Sequence, residues 1–372
     1  MKKSLLLLLS CCIISVGTSC DKNNDEEDNT DPCATAFDQE AMFKNIADNI
    51  IVPTYQELNE KVATLSANTL AFLNNTDAAT LANLQEAFQQ TYITWQKAAQ
   101  YEFGPAETVF LRNSFNNFPL DIAVLQENIA TQTYELNDPN RYDKGLPALD
   151  YLLYAYGDST LFQYTTANDA ENRKQYVADL VADMAAKANQ VNDAWNGNYK
   201  DDFIQNTGTE AGTSLSLIIN NLNQNYELIK REKLGIPSGV LTLGFLNPDK
   251  VEAYYSGISV DLATTALKAT EQLYLGKSNA GVDGLGLDDY LAATGAQKNE
   301  QLLDDVIQAQ FTNALNALND LANPLSNTVE EDTDAVITAY NEVTKQLINI
   351  KTDMPSVLCV SITYIDNPSD SD

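Results

Sequence analysis

Histidine is absent from the 372 residues of this chain. Without imidazole there is no Ser-His-Asp or Cys-His machinery, no HExxH zinc site and no histidine acid-base catalyst. Any chemistry must come from carboxylates, tyrosines, lysines, arginines or hydroxyls. Basic residues are also scarce, with 22 Lys and Arg against 52 Asp and Glu and a formal charge of −30. A field of that sign repels phosphate backbones and anionic surfaces at long range, which excludes nucleic acid as a partner. The apolar run from Leu5 to about Val16 is too short to span a bilayer as a mature helix. What is plentiful is apolar residues, 44% of the chain, enough for two cores of ordinary size.

The N-terminus, MKKSLLLLLSCCIISVGTSC, places Lys2 and Lys3 ahead of that run and small residues before Cys20, the pattern of a signal peptide over residues 1–19. Val16-Gly17-Thr18-Ser19-Cys20 resembles a bacterial lipobox, which implies cleavage before Cys20 and acylation of that residue, hence a lipid bilayer as partner. A plain secretory signal with an incidental cysteine is the alternative. The run after Cys20, DKNNDEEDNTDP, has no apolar residue and reads as a solvated tether over residues 20–33. In some Gram-negative groups such an acidic tether resembles the signal that sends lipoproteins to the outer surface. The expected place is the bacterial cell envelope, on the periplasmic side or the cell surface of the outer membrane. Of the 5 cysteines, two leave with the leader and one carries lipid. Cys33 and Cys359 remain as a pair in an oxidising compartment. A bridge between them would stabilise the fold by roughly 3–5 kcal/mol on the chain-entropy model; two buried free thiols are the alternative.

Along the chain the hydrophobic period is almost everywhere helical. In residues 77–102, Asp77 can cap and Leu81, Leu84, Phe88, Tyr92, Trp95 and Ala99 recur at three- and four-residue steps before Gly104-Pro105. Similar stripes cover residues 36–51, 54–73, 169–195, 210–233, 259–275, 298–322 and 332–352. Only VLCVSITY, residues 357–364, looks strand-like, and it reads equally as an extended strap carrying Cys359. The expectation is an all-α protein of two helix bundles packed against each other, residues 34–205 and 206–372.

Two stretches break the bundle pattern. In YEFGPAETVFLRNSFNNFPLD, residues 101–121, Arg112 is the only basic residue between Lys97 and Arg141. Set among phenylalanines in so acidic a chain, it calls for an acidic partner or an anionic ligand. In YDKGLPALDYLLYAYG, residues 142–157, a helix starting at Pro147 would place Leu149, Leu152, Leu153 and Tyr156 on one face. Pro147, Asp150, Tyr151 and Tyr154 then share the opposite face. Asp150 would sit between two phenols, able to ligate a cation, to accept from a tyrosine or Arg112, or to cap its own helix.

These stretches, FGPAETVFLRNSF and FPLD followed by KGLPALDYLLYA, resemble the imelysin-like family, also known as the M75 peptidases. The family signature is Gly-x-His-x-x-Glu after an FGP-containing helix end. Here the run is Gly145 to Asp150, with Pro147 in place of histidine and Asp150 in place of glutamate. NYELIKREKLGIPSGVLTLGFLNPDKVEAYYSGIS, residues 225–259, resembles the family's second-half pattern. The resemblance covers about residues 34–360 and implies a bacterial envelope protein of two helical bundles, with a link to iron uptake in several members and proteolysis described for one. It also implies a site at the seam. Phe103, Gly104, Pro105, Arg112, Asp121, Gly145, Pro147 and Asp150 would come from the first half, and Glu227, Lys230, Pro237, Tyr255 and Ser259 from the second.

Three functions follow as expectations. The first is a non-catalytic binding protein for an iron species or another small ligand. Asp150 is its metal-ligating residue and Tyr151 and Tyr154 stand nearby; carboxylate and phenolate are hard donors suited to Fe(III) or Ca2+. The second is a metal-dependent peptidase, for which the missing histidine removes the strongest ligand. The third is an envelope scaffold whose loops 234–247 and 280–290 face a protein partner. AGVDGLGLDDY in the latter loop does not match the EF-hand spacing and reads as a flexible acidic turn.

Overall fold

The computed structural model describes residues 36–364, which all fall in one compact unit. The expected leader, Cys20, the tether and Cys33 lie outside the described residues. The fold is all-α; the paired strands among the described residues are β1 (Gln297–Lys298) and β2 (Gln301–Leu302), an antiparallel pair two residues long.

The chain enters through α1 (Gln39–Asn45), which continues by a wider turn over Ile46–Ile51 into α2 (Val52–Asn74). Helix α3 (Ala78–Ala98) begins where the sequence places its cap. The Asp77 carboxylate accepts from the Thr80 amide at 2.9 Å, and Thr80 returns an acceptor to the Asp77 amide at 3.3 Å. Its stripe of Leu84, Phe88, Tyr92 and Trp95 is completely buried. Short pieces follow: α4 (Pro105–Thr108), α5 (Leu111–Phe115), α6 (Ile122–Thr131), α7 (Gly145–Tyr154) and α8 (Thr160–Thr165). The long α9 (Ala170–Asn196) packs on α2, as α3 does, and α10 (Tyr199–Gln205) closes the first half.

In the second half α11 (Ser214–Leu228) opens into a wide turn over Ile229–Gly235, and an irregular run leads to α12 (Ser259–Tyr274). After α13 (Leu287–Thr294) and the small hairpin come α14 (Leu303–Asn319), α15 (Leu325–Glu331), α16 (Thr333–Leu347) and α17 (Met354–Val357). Helix α14 packs on α12 and α16, and α12 also lies against α3 of the first half.

Three local expectations change. Residues 280–290 are not wholly a turn, because α13 starts at Leu287 with the Gly286 amide donating to Asp289 at 2.9 Å and with Leu287, Tyr290 and Leu291 buried. The N-terminal part of 298–322 is hairpin rather than helix. The alternation in 357–364 forms no ladder: it finishes α17 and then runs as a strap along α11. There the Asn220 side chain donates to the Ser361 carbonyl at 3.1 Å and accepts from the Thr363 amide at 2.6 Å. Cys359 on that strap is disulfide-bonded, and Cys33, its expected partner, lies outside the described residues.

Candidate functional site

The irregular connections of the two halves meet. Helix α7 starts two residues earlier than Pro147 implies, because Gly145 takes φ +73 and lies against the chain at residues 114 and 115. A Cβ there would stand 2.5 Å from the Phe115 carbonyl oxygen. Pro147 then falls in the first turn, where its missing N–H costs nothing. Asp150, one turn on, is 3% exposed. Its two carboxylate oxygens accept the backbone amides of Tyr255 and Ser256, both at 2.9 Å. Burial pushes its pKa up to about 6 against the Ser256 hydroxyl and these amides, which favour the charged form; Glu252 nearby adds to the rise.

The phenols expected beside Asp150 point elsewhere. The Tyr151 hydroxyl lies 2.8 Å from the Gln126 amide that donates to it and 3.0 Å from Tyr156, and Tyr154 donates to the Gln85 carbonyl at 3.0 Å. Pro147, Asp150, Tyr151 and Tyr154 all fall within α7, but the tyrosine hydroxyls find partners away from the carboxylate, and Tyr156, expected on the opposite face, lies past the helix end against the Tyr151 hydroxyl. Asp150, Pro147, Phe118 and Tyr255 line a recess of about 100 Å³. Its polar anchor is a carboxylate clamped on a backbone turn, with the Tyr255 ring edge-on to Tyr151 at 5.3 Å.

A second cavity, of about 140 Å³, opens between α3, the residues around α5, α11 and the turn after it; Trp95, Arg112, Asn116, Asn225, Lys233 and Glu252 are among its walls. Lys233 donates to Gln96 Oε1 at 2.8 Å and pairs with Glu252. Glu252 also accepts from Asn116 at 2.6 Å and from Gln96 at 3.3 Å, and Tyr92 donates to Asn116 Oδ1 at 2.9 Å. Arg112 Nη2 donates to the Ala99 carbonyl and, at 3.2 Å, to Asn225 Oδ1. Burial pulls the Arg112 pKa below its ordinary value, while Glu102, which accepts the Arg112 amide at 2.9 Å, favours its charge. Burial likewise holds Glu102 above the usual carboxylate range, against the pull of Arg112.

The other residues expected at the seam divide by role. Phe103 is buried in an aromatic cluster with Trp195 and Phe203. Gly104, at φ +56, leaves room for Tyr199, whose hydroxyl would stand 2.0 Å from a Cβ, and Pro105 opens α4. Asp121 caps α6 by accepting the Val124 amide at 3.1 Å and edges a shallow groove with Tyr142 and Arg231. Ser259 donates to the Glu252 carbonyl, which places Glu252 at the cavity. Pro237 is buried, and its carbonyl accepts the Asn247 amide at 2.9 Å. Glu227 and Lys230 line neither cavity. They pair with each other at 2.8 Å on a separate groove with Lys345 and Lys351, because α11 turns that face toward α16.

Sequence reading missed Gln96, Asn116, Asn225, Lys233 and Glu252. Their signal was polarity inside otherwise apolar stripes, Gln96 beside Trp95 being the plainest. Among the described residues no group of three or more Cys, Asp or Glu side chains is placed to hold a metal ion, and both Asp150 oxygens are taken by backbone amides.

The fold and these motifs agree with comparison to known proteins. The Peptidase M75 (Imelysin) family model matches residues 51–350, and the chain belongs to that family. The fold is similar to the crystal structure described as an iron-regulated protein A precursor from Parabacteroides distasonis ATCC 8503. That match has 17% identity and TM-score 0.73 and covers 86% of this chain and 95% of that one. It is also similar to an imelysin-like protein from Psychrobacter arcticum 273-4, at 16% identity and TM-score 0.67, over 88% and 97% of the two chains. No curated protein matches the sequence.

Proposed function

We propose that this protein is a non-catalytic binding lipoprotein of the bacterial envelope, anchored through acylated Cys20, that holds an iron species or another small ligand where its two helical halves meet. The observation that carries this reading is the 140 Å³ cavity, whose buried polar walls come from both halves of the chain. At well under the roughly 300 Å³ of drug-sized sites, it suits a small occupant. The donor set favours a chelated or molecular ligand over a bare ion, since both Asp150 oxygens already serve amides and a hard cation wants six or more oxygens. Iron is the first species to try because a relative of similar fold is described as iron-regulated. The peptidase reading gains nothing from the geometry: Pro147 occupies the signature histidine position and is buried.

Titration calorimetry of the folded domain with ferric citrate and with calcium chloride tests the proposal. Saturable heat with at least one of them supports it, and the absence of heat with both, at protein concentrations adequate for micromolar affinity, overturns it. The anchor is tested separately, by whether Cys20→Ser moves the protein from the membrane fraction to the soluble one.

A second reading, an envelope scaffold, is favoured by the loop after Pro237. Leu243 is 95% and Phe245 72% exposed, flanked by Val240, Leu241 and Leu246, a density of apolar surface typical of contact sites. A photo-crosslinker at Leu243 in intact cells should capture one protein reproducibly if that loop docks a partner, and nothing specific if it does not.

A further inference from the structure

We propose that the ligand group recognised in the 140 Å³ cavity is a carboxylate, taken by Arg112, Asn225 and Trp95. This deepens the binding reading above and rests on it.

Three sets of donors face one space. Asn225 is 4% exposed and Trp95 is fully buried, yet Asn225 Nδ2 and Trp95 Nε1 have no hydrogen-bond partner. Both residues line the cavity. The Asn225 amide cannot be turned round to change this, because Oδ1 accepts from Arg112 and a reversed amide would set donor against donor. Arg112 spends only Nη2, on the Ala99 carbonyl and Asn225; no hydrogen bond among the described residues engages its Nε or Nη1. An indole N–H, a guanidinium and this orientation of the amide are donors only, so the group that completes them is an acceptor. A delocalised cation beside two neutral donors suits a planar oxyanion better than a lone carbonyl.

The acids at the same cavity do not fill that role. Glu252 is engaged by Lys233, Gln96 and Asn116, so its charge is matched within the wall. Glu232 lines the cavity as well, and burial, together with Glu252, raises its pKa against Arg231 and Lys233. The Arg112 guanidinium is held at Ala99 and Asn225 and forms no ion pair with Glu252 among the described residues, though Glu252, after Glu102 and Tyr55, adds to the field that favours its charge. It remains the cation available to a ligand there, with Glu102 supporting its charge through the chain. A ligand carrying a carboxylate at that end would satisfy both orphan donors at once, and a small multicarboxylate could carry a metal with it.

Calorimetry of the folded protein with sodium acetate, succinate and citrate, and with calcium chloride and ferric nitrilotriacetate as comparators, tests this. At least one of the metal-free carboxylates should bind in 1:1 ratio. Trp95→Phe, which keeps the stacking ring and deletes the N–H, should weaken that binding about fivefold. Asn225→Asp, which keeps Oδ1 and replaces the donor by an anion, should weaken it by about thirtyfold or more. Thermal unfolding of each variant without ligand checks that it folds; should Asn225→Asp fail to fold, Trp95→Phe alone decides. Binding of calcium with no binding of any carboxylate would overturn the carboxylate assignment and leave the binding reading standing, as would carboxylate binding indifferent to both variants. Absence of heat with every probe would remove both.

Discussion

Asp150 shows how one side chain can carry a family resemblance and yet perform a different task from the one its position suggests. It holds two amides of the neighbouring half, at Tyr255 and Ser256, and so pins the turn that brings Glu252 and Ser259 to the cavity. Asp150→Asn keeps one acceptor and sets a donor against the second amide, so it should cost about 1–3 kcal/mol in chemical unfolding. The same variant reports on ionisation. In the unfolded chain an aspartate ionises near 3.8, whereas folded Asp150 keeps its proton to about pH 6. Between those values the folded state binds the additional proton, so the contribution of this group is greatest at acid pH and declines as pH rises through 6. The stability gap between wild type and Asp150→Asn should therefore be wider at pH 4.5 than at pH 7.5; a gap independent of pH would contradict the burial of this carboxylate. Gly145→Ala tests the other end of the motif. It forces a Cβ against the Phe115 carbonyl at positive φ and should cost at least about 2 kcal/mol.

At the scale of elements, the long helices were legible because a 3.6-residue period repeats over many turns, as Leu84, Phe88, Tyr92 and Trp95 show in α3. Helix α13 was not, since Gly286 and two first-turn aspartates resemble loop chemistry while its burial comes from Leu287, Tyr290 and Leu291, three residues in eight. The two candidate connections stood out because they broke the helical period. Their contacts did not, because Asn116 and Gln96 find Glu252 136 and 156 residues away, a pairing no local pattern encodes. The directions of the Tyr151 and Tyr154 hydroxyls were hidden for the same reason. The loop after Pro237 illustrates a feature visible at both levels. Its backbone closes on itself, with the Gly244 amide on the Gly239 carbonyl at 2.9 Å and the Phe245 amide on Thr242 at 3.0 Å, while Leu243 and Phe245 face solvent. Leu243→Ser and Phe245→Ser should each change unfolding free energy by no more than about 0.5 kcal/mol, while abolishing any specific crosslink from that loop. Loss of stability on a larger scale would show that these side chains pack on the protein itself.

For the whole molecule, the chain has 22 basic residues against 52 acidic ones, and two of those few cations, Arg112 and Lys233, are drawn to the walls of one small cavity. Burying them so costs solvation; Glu252 pairs with Lys233, whereas Arg112 has the charge of Glu102, and to a smaller extent that of Glu252, in its favour but no carboxylate on its guanidinium among the described residues. The C-terminal strap is itself tied down, with Cys359 disulfide-bonded and Asn220 holding residues 361 and 363. Cys359→Ser should lower stability by about 3–5 kcal/mol on the loop-closure model, measured by unfolding with and without reductant, and reductant should have little effect on the variant. The peptidase name belongs to the family, whereas the cavity of this member lies among amides, an indole and an arginine. The most direct measurement is a crystal structure of the protein soaked with citrate. The account predicts density for the ligand between Arg112, Asn225 and Trp95, with walls contributed by both halves; ordered water alone in that cavity, at a citrate concentration that saturates binding in solution, would contradict it.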